Sequence, residues 1–208
     1  MKLINYNLNY QKMMTKLKLI SLLFLLPLLL FSQVHKIDAG IYKVIYDESL
    51  ESPTQVTYTV LCPNGQASRK GMNFYKNDSI HTADNDDYKY NVWDKGHMAP
   101  AASFNCTEEM VYKTFSYLNS ALQHKSLNRG EWKALEFYER SLASFDGPVD
   151  IVIIIEFDEN PPRVPGGAAI PKGFYKKIKS KSKKFCFYFP NVKPNEEGTF
   201  DDYEVPCN

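Results

Sequence analysis

Asp94-Lys95-Gly96-His97-Met98-Ala99-Pro100 sets an acid, a cation, a glycine and a histidine in a row and closes on a proline. Proline cannot donate to a sheet ladder, so a strand through this stretch is predicted to end near Pro100. On an extended strand Lys95 and His97 share one face. Histidine is the natural general base near neutral pH, its ordinary pKa being about 6.5. A base and a cation on one face suit attack on an anion such as a phosphodiester, and Gly96 between them allows backbone or substrate to come close.

The rest of the chain supplies alternating strand and helix signals. Gly40–Tyr46 and Gln55–Leu61 are rich in β-branched and aromatic residues and read as strands, followed by a Pro63-Asn64-Gly65 turn. The motif strand is expected over Tyr90–Lys95, and another short strand over Phe115–Leu122. Thr107-Glu-Glu-Met has the form of a helix start, and Ser126–Glu131 opens a helix predicted to run to about Ala143 before Asp146-Gly-Pro ends it. Ile151–Ile155 reads as a fully buried strand. Glu156, Asp158 and Glu159 at its exit read as solvated loop acids. Gly173–Ser180 and Lys184–Phe189 read as hairpin arms.

At 208 residues one well-cored domain suffices. Formal charge is +1, so no global basic field points to a polyanion. The first 33 residues hold four lysines and no acid; without them 21 basic residues face 24 acidic ones, a balance of −3. Binding of nucleic acid would therefore need a local patch or a metal. The basic concentration lies at Lys172, Lys176, Lys177, Lys179, Lys181, Lys183 and Lys184, which suits either phosphate steering or an edge kept soluble by lysine.

Lys16 and Lys18 precede an apolar run from Leu19 to Phe31, the length of a signal h-region and short for a membrane span. Residues 1–33 are read as a signal peptide and 34–208 as a single domain, secreted or periplasmic, with no stable membrane anchor after cleavage. Export makes disulfides the default for Cys62, Cys106, Cys186 and Cys207. Of the three pairings, Cys186–Cys207 with Cys62–Cys106 is favoured.

Asp94–Pro100 resembles the D-R-G-H-x-A-P signature of the DNA/RNA non-specific endonucleases, members of the ββα-metal (His-Me finger) group. The family continues with T-F-x-x-x-N, a glutamine, then N-x-G-x-W-x-x-L-E. This chain reads Thr114-Phe115-Ser-Tyr-Leu-Asn119, Gln123, then Asn128-Arg-Gly130-Glu-Trp132-Lys-Ala-Leu135-Glu136. Order and spacing agree from about Arg69 to Glu136, and the likeness is weaker beyond.

The resemblance implies an α+β fold with a mixed or antiparallel central sheet around a ββα-metal finger. It implies a magnesium-dependent endonuclease, with manganese as the alternative metal, acting on DNA and RNA. His97 would be the general base, and Asn128 the direct ligand of a mostly hydrated cation. Glu136 would hold a metal-bound water: on one straight helix it would lie about 12 Å and roughly 80° from Asn128, too far for both to share a first shell easily. Asn119 would support the site, Asp94 would orient its neighbours, and Arg69, or Lys70 beside it, would meet substrate phosphate together with Lys95. Trp132 is read as core.

Three departures stand out. Lys95 replaces the usual arginine, keeping charge but losing the planar fork. Leu122 stands where proline commonly precedes Gln123. The family's Thr-Gly-Pro turn is missing after the Ile151 strand. The rival from another class is a secreted nucleic-acid-binding protein on the same fold, catalytically weakened at Lys95. A third reading is a phosphodiesterase for a smaller anionic substrate.

Overall fold

The computed structural model describes residues 34–207. The apolar run at Leu19–Phe31, and the signal peptide read from it, lie outside the described residues.

Six strands form one antiparallel sheet in the order β1-β2-β3-β6-β7-β8: β1 Val34–Asp38, β2 Tyr42–Asp47, β3 Ser52–Thr59, β6 Asp150–Glu156, β7 Gly173–Lys179 and β8 Lys184–Pro190. A separate antiparallel pair joins β4 Trp93–His97 to β5 Ser120–His124, with Lys95 opposite Leu122 and His97 opposite Ser120. Among the described residues three α-helices accompany them: α1 Glu108–Thr114, α2 Lys125–Arg129 and α3 Glu131–Asp146. The architecture is α+β; the β4–β5 pair, whose strands are joined through α1, leads directly into α2 and so makes a ββα unit.

Several expectations shift. The motif strand begins and ends later than expected, at Trp93–His97 and not at Tyr90–Lys95. The expected strand over Phe115–Leu122 is shorter and later, because a 3-10 turn at Tyr117–Asn119 precedes β5. β6 is covered on one side: Ile151, Ile153 and Ile155 are buried, whereas Ile154 is 41% exposed. An antiparallel sheet can leave one face to solvent, so a β-branched run need not be buried on both.

The expected single helix is two helices. Gly130 interrupts it with φ −101° and ψ −111°, and a Cβ there would meet the Ser126 carbonyl oxygen at 2.8 Å. Beyond that break α3 lays Trp132 and Leu135 into the core, with the Trp132 ring 5.4 Å from Phe174 and 5.5 Å from Phe189. Complete burial of side chains this large contributes about 1.5–3 kcal/mol each, which anchors α3 on β7 and β8.

Under α3 lies a buried polar knot. Lys176, expected among the surface cations, is fully buried; its Nζ lies 2.8 Å from Glu139 and 3.8 Å from the Trp132 ring centroid. The Tyr58 hydroxyl donates to the same Glu139 carboxylate at 2.9 Å. Two charges sit at this depth only because each has a partner within hydrogen-bond reach.

The cysteines pair as Cys62–Cys106 and Cys186–Cys207. The first bridge fastens the loop after β3 to the segment after β4. Ala67 N donates to Asn105 O at 2.9 Å, and a Cβ on Gly65 would strike the Asn105 backbone at 2.2 Å. That close fit positions Arg69 for the site. The second bridge ties the C-terminal tail to β8.

Candidate active site

His97 is the last residue of β4, and what fixes it comes from behind. Asn119 is fully buried, and its amide is used up on backbone: Oδ1 accepts from Ala99 N at 2.8 Å, and Nδ2 donates to Ala99 O at 2.8 Å and Thr114 O at 2.9 Å. Met98 N adds a bond to Asn119 O. Asn119 therefore pins the two residues after His97 and does not line the cavity itself.

The His97 ring packs 4.8 Å from Phe74 and 4.9 Å from Phe115, centroid to centroid. Its Nε2 is inaccessible and has no hydrogen-bond partner. Burial among these rings, and then the nearby Arg69 charge, holds the imidazole down to about pKa 4. It is consequently neutral near pH 7, which is the form a base needs.

A cavity of about 590 Å³ opens in front of it. Arg69, His97, Asn128 and Glu136 all line it, as do Arg129, Lys133 and Arg140. The helix break at Gly130 is why Asn128 and Glu136 reach one cavity, a meeting that a straight helix does not predict. Lys70, the other candidate beside Arg69, is not among the lining residues.

Asp94 organises Asn128. Asn128 Nδ2 donates to Asp94 at 2.9 Å, while Arg129 grips the same carboxylate through two bonds of 2.7 Å. Burial pulls the Asp94 pKa up, but the bonds from Arg129 and Asn128 outweigh it and hold the carboxyl below its ordinary range. With Nδ2 committed to Asp94, the Asn128 amide oxygen is the atom left for the cavity.

Glu136 behaves in the opposite way. Burial pushes it up to about 7, against the pull of the Lys176 charge. A carboxyl poised there is ready to ionise beside a cation. One amide oxygen and one carboxylate form a sparse donor set, which fits a hard divalent cation that keeps most of its waters. Among the described residues no group of three or more His, Cys, Asp or Glu gathers as a cage.

Lys95 departs from expectation. It shares a face with His97, as the alternation requires, but Phe74 packs against both. Its Nζ lies 5.4 Å from the Phe74 centroid, 5.6 Å from Tyr88 and 5.4 Å from Tyr117, and donates to Asn85 Oδ1. Desolvation lowers its pKa, partly offset by Asp84. Lys95 lines a neighbouring hollow, with Asn85, Asp94, Asn128 and Arg129, and not the His97 cavity.

Gly96 serves packing and not substrate: a Cβ there would meet Gln123 Oε1 at 2.4 Å and Gln123 Cβ at 2.7 Å. Arg129, Lys133 and Arg140 were not singled out from the sequence. The available signal was their spacing along the helical stretch, with Arg140 four residues beyond Glu136. His35, His81 and His124 stand apart from the cavity; His35 pairs with Glu48 at 2.9 Å, and His124 Nδ1 caps α2 by accepting from Ser126 N.

The family model described as DNA/RNA non-specific endonuclease matches residues 30–208. Among curated relatives, the mitochondrial nuclease EXOG of Danio rerio is 34% identical over 102 residues, covering 47% of this chain and 30% of that protein. The mitochondrial Endonuclease G of Homo sapiens is 37% identical over 81 residues, covering 38% of this chain and 27% of that protein. The matched stretch thus spans less than a third of those relatives' own length. A chain from a solved EndoG/EndoGI complex shares the fold with a TM-score of 0.71 at 23% identity, covering 83% of this chain and 80% of that one.

Proposed function

The chain belongs to the DNA/RNA non-specific endonuclease family, and from that premise we propose that it hydrolyses phosphodiester bonds of DNA and RNA by metal-assisted general-base catalysis. The observation that carries the reading is His97: a neutral imidazole that lines one cavity with Asn128, Glu136 and four cationic side chains.

His97 takes the proton of a water that attacks phosphorus. Asn128, through the amide oxygen that Asp94 leaves free, and Glu136, through an intervening water, would hold a divalent cation, magnesium or manganese. Held there, such a cation would supply positive charge for the phosphate and for the leaving oxygen. Arg69 and Arg140 flank the phosphate with fixed positive charge. Asn119 positions His97 through Ala99, and Asp94 positions Asn128. Lys95, which lines the neighbouring hollow and not the His97 cavity, serves a phosphate farther along the strand. Every one of these contacts is to phosphate, water or metal, and none reads a base edge, so cleavage is not sequence-specific.

The N-terminal apolar run and the two disulfides support export to an oxidising compartment, with 1–33 removed and 34–208 as the working domain. The relatives named above carry mitochondrial names, so a fusion of residues 1–33 to a reporter decides the address: export of the reporter is expected, and its retention inside the cell defeats the secreted reading.

Plasmid cleavage by the purified protein with magnesium, with manganese and with EDTA, beside His97→Ala, tests the enzyme. Cutting that needs the metal and drops at least a hundredfold in His97→Ala is expected, the general-base contribution being about 10²–10⁴. A protein that retards the plasmid without cutting it in any metal would instead be the nucleic-acid-binding alternative. Neither cutting nor retardation would point to the smaller anionic substrate.

A further inference from the structure

Lys133, Phe137 and Arg140 follow one another on α3 at spacings of four and three, which places them on one face of the helix. Phe137 is 67% exposed, and the Arg140 guanidinium lies 5.8 Å from its ring centroid. A second cavity, of about 560 Å³, opens beside this row, with Phe137, Tyr138 and Phe200 as its aromatic wall. Arg129, Lys133 and Arg140 line this cavity and the His97 cavity alike. A ridge of three cations, and not hydrophobic core, therefore separates the two hollows. Arg140 Nη1 is buried without a hydrogen-bond partner, so part of that ridge's donor capacity is unspent.

We infer that Phe137 is a nucleobase-stacking subsite of the substrate groove. The strand's phosphate lies on the Lys133–Arg140 ridge, and the attached base lies flat on the Phe137 ring. The inference rests on the nuclease reading and deepens it, since it names the form of substrate the groove takes best. An aromatic ring flanked by cations matches both parts of a nucleotide, a π-face and an anion, and every base has a π-face. A base inside a duplex is already covered on both faces by its neighbours, so only an unpaired base gains from the ring. Phe137 thus favours single strands without favouring a sequence. Phe145, on the same helix and 92% exposed, lines neither cavity and serves as the control.

Binding in EDTA of a fluorescent single-stranded dodecamer, a hairpin duplex and a fully abasic dodecamer tests this, with wild type, Phe137→Ala, Phe137→Trp and Phe145→Ala. Phe137→Ala should weaken the single strand about 5- to 150-fold, the range one base stacked on one aromatic gives, while the abasic strand changes less than about twofold. Phe137→Trp should restore affinity, and Phe145→Ala should match wild type. Equal losses on normal and abasic strands would overturn the subsite. So would self-association that Phe137→Ala abolishes while strand affinity is unchanged, which would assign the face to a second copy of the chain. A wild type that cuts plasmid while Phe137→Ala binds normally sinks this inference alone; a wild type that neither binds nor cuts sinks the nuclease reading with it.

Discussion

Asn128 donates its amide nitrogen to Asp94 at 2.9 Å, and through that bond a residue on β4 decides which atom a residue on α2 offers to the cavity. Arg129 holds the same carboxylate by two bonds, so the acid is fixed before it fixes the amide. Asp94→Ala should therefore leave Asn128 free to turn, and should raise the metal concentration needed for half-maximal activity about 10- to 100-fold, as loss of an outer-shell partner does. Metal titration of plasmid cleavage reads this directly. An unchanged metal requirement would remove Asp94 from the positioning role.

Asn119 should matter to stability as much as to activity. Its side chain makes three buried bonds, and Asn119→Ala leaves the Ala99 N–H and C=O and the Thr114 C=O unpaired. At about 1–3 kcal/mol for each stranded buried group, and with some relaxation, a loss of about 3 kcal/mol in urea denaturation is expected. A loss under about 0.5 kcal/mol, the size of an ordinary surface change, would mean that the segment after His97 is held by something else.

The buried pair under α3 makes a two-part prediction. Lys176→Met strands the Glu139 charge in the core and should cost about 3–5 kcal/mol, whereas Lys176→Met with Glu139→Leu should recover most of that loss. If the double variant is no better than the single one, the Tyr58 and Trp132 contacts carry the region and the ion pair does not.

Stability should depend on pH through His97 and Glu136 in opposite senses. The unfolded histidine binds its proton near its ordinary 6.5 and the folded one only near 4, so between those values the unfolded chain holds more protons and stability falls as pH falls. His97→Gln should flatten that slope, with His124, also lowered by burial, leaving a remainder. Glu136 is raised to about 7, so its contribution is lost as pH rises from about 4.5 to 7. Glu136→Gln, melted in EDTA, should flatten that limb. Unchanged profiles in both variants would mean that neither group titrates abnormally.

Much of this chemistry was legible in the residues. The order Asp94, Lys95, His97, Asn119, Asn128, Glu136 names the groups that the proposed mechanism uses, the alternation of β4 put Lys95 and His97 on one face, and the favoured cysteine pairing is the one formed. Legibility ended where long-range packing took over. Phe74 comes from a loop distant in sequence to pack against both Lys95 and His97, and no local spacing announces it. Gly96 looked like room for a substrate and is room for Gln123. The lysine-rich arm looked exposed throughout, yet Lys176 turns inward because β7 alternates faces and Glu139 waits on α3.

The sequence by itself determined which candidate groups this protein offers for the proposed chemistry and roughly where its strands and helices begin, because motif spacing and side-chain periodicity are local properties of a chain. Only the tertiary structure decided which of those groups share a cavity. The loop fastened by Cys62–Cys106 and the packing of Phe74 against both Lys95 and His97 depend on contacts between residues far apart in sequence, and burial in such contacts lowers the His97 pKa.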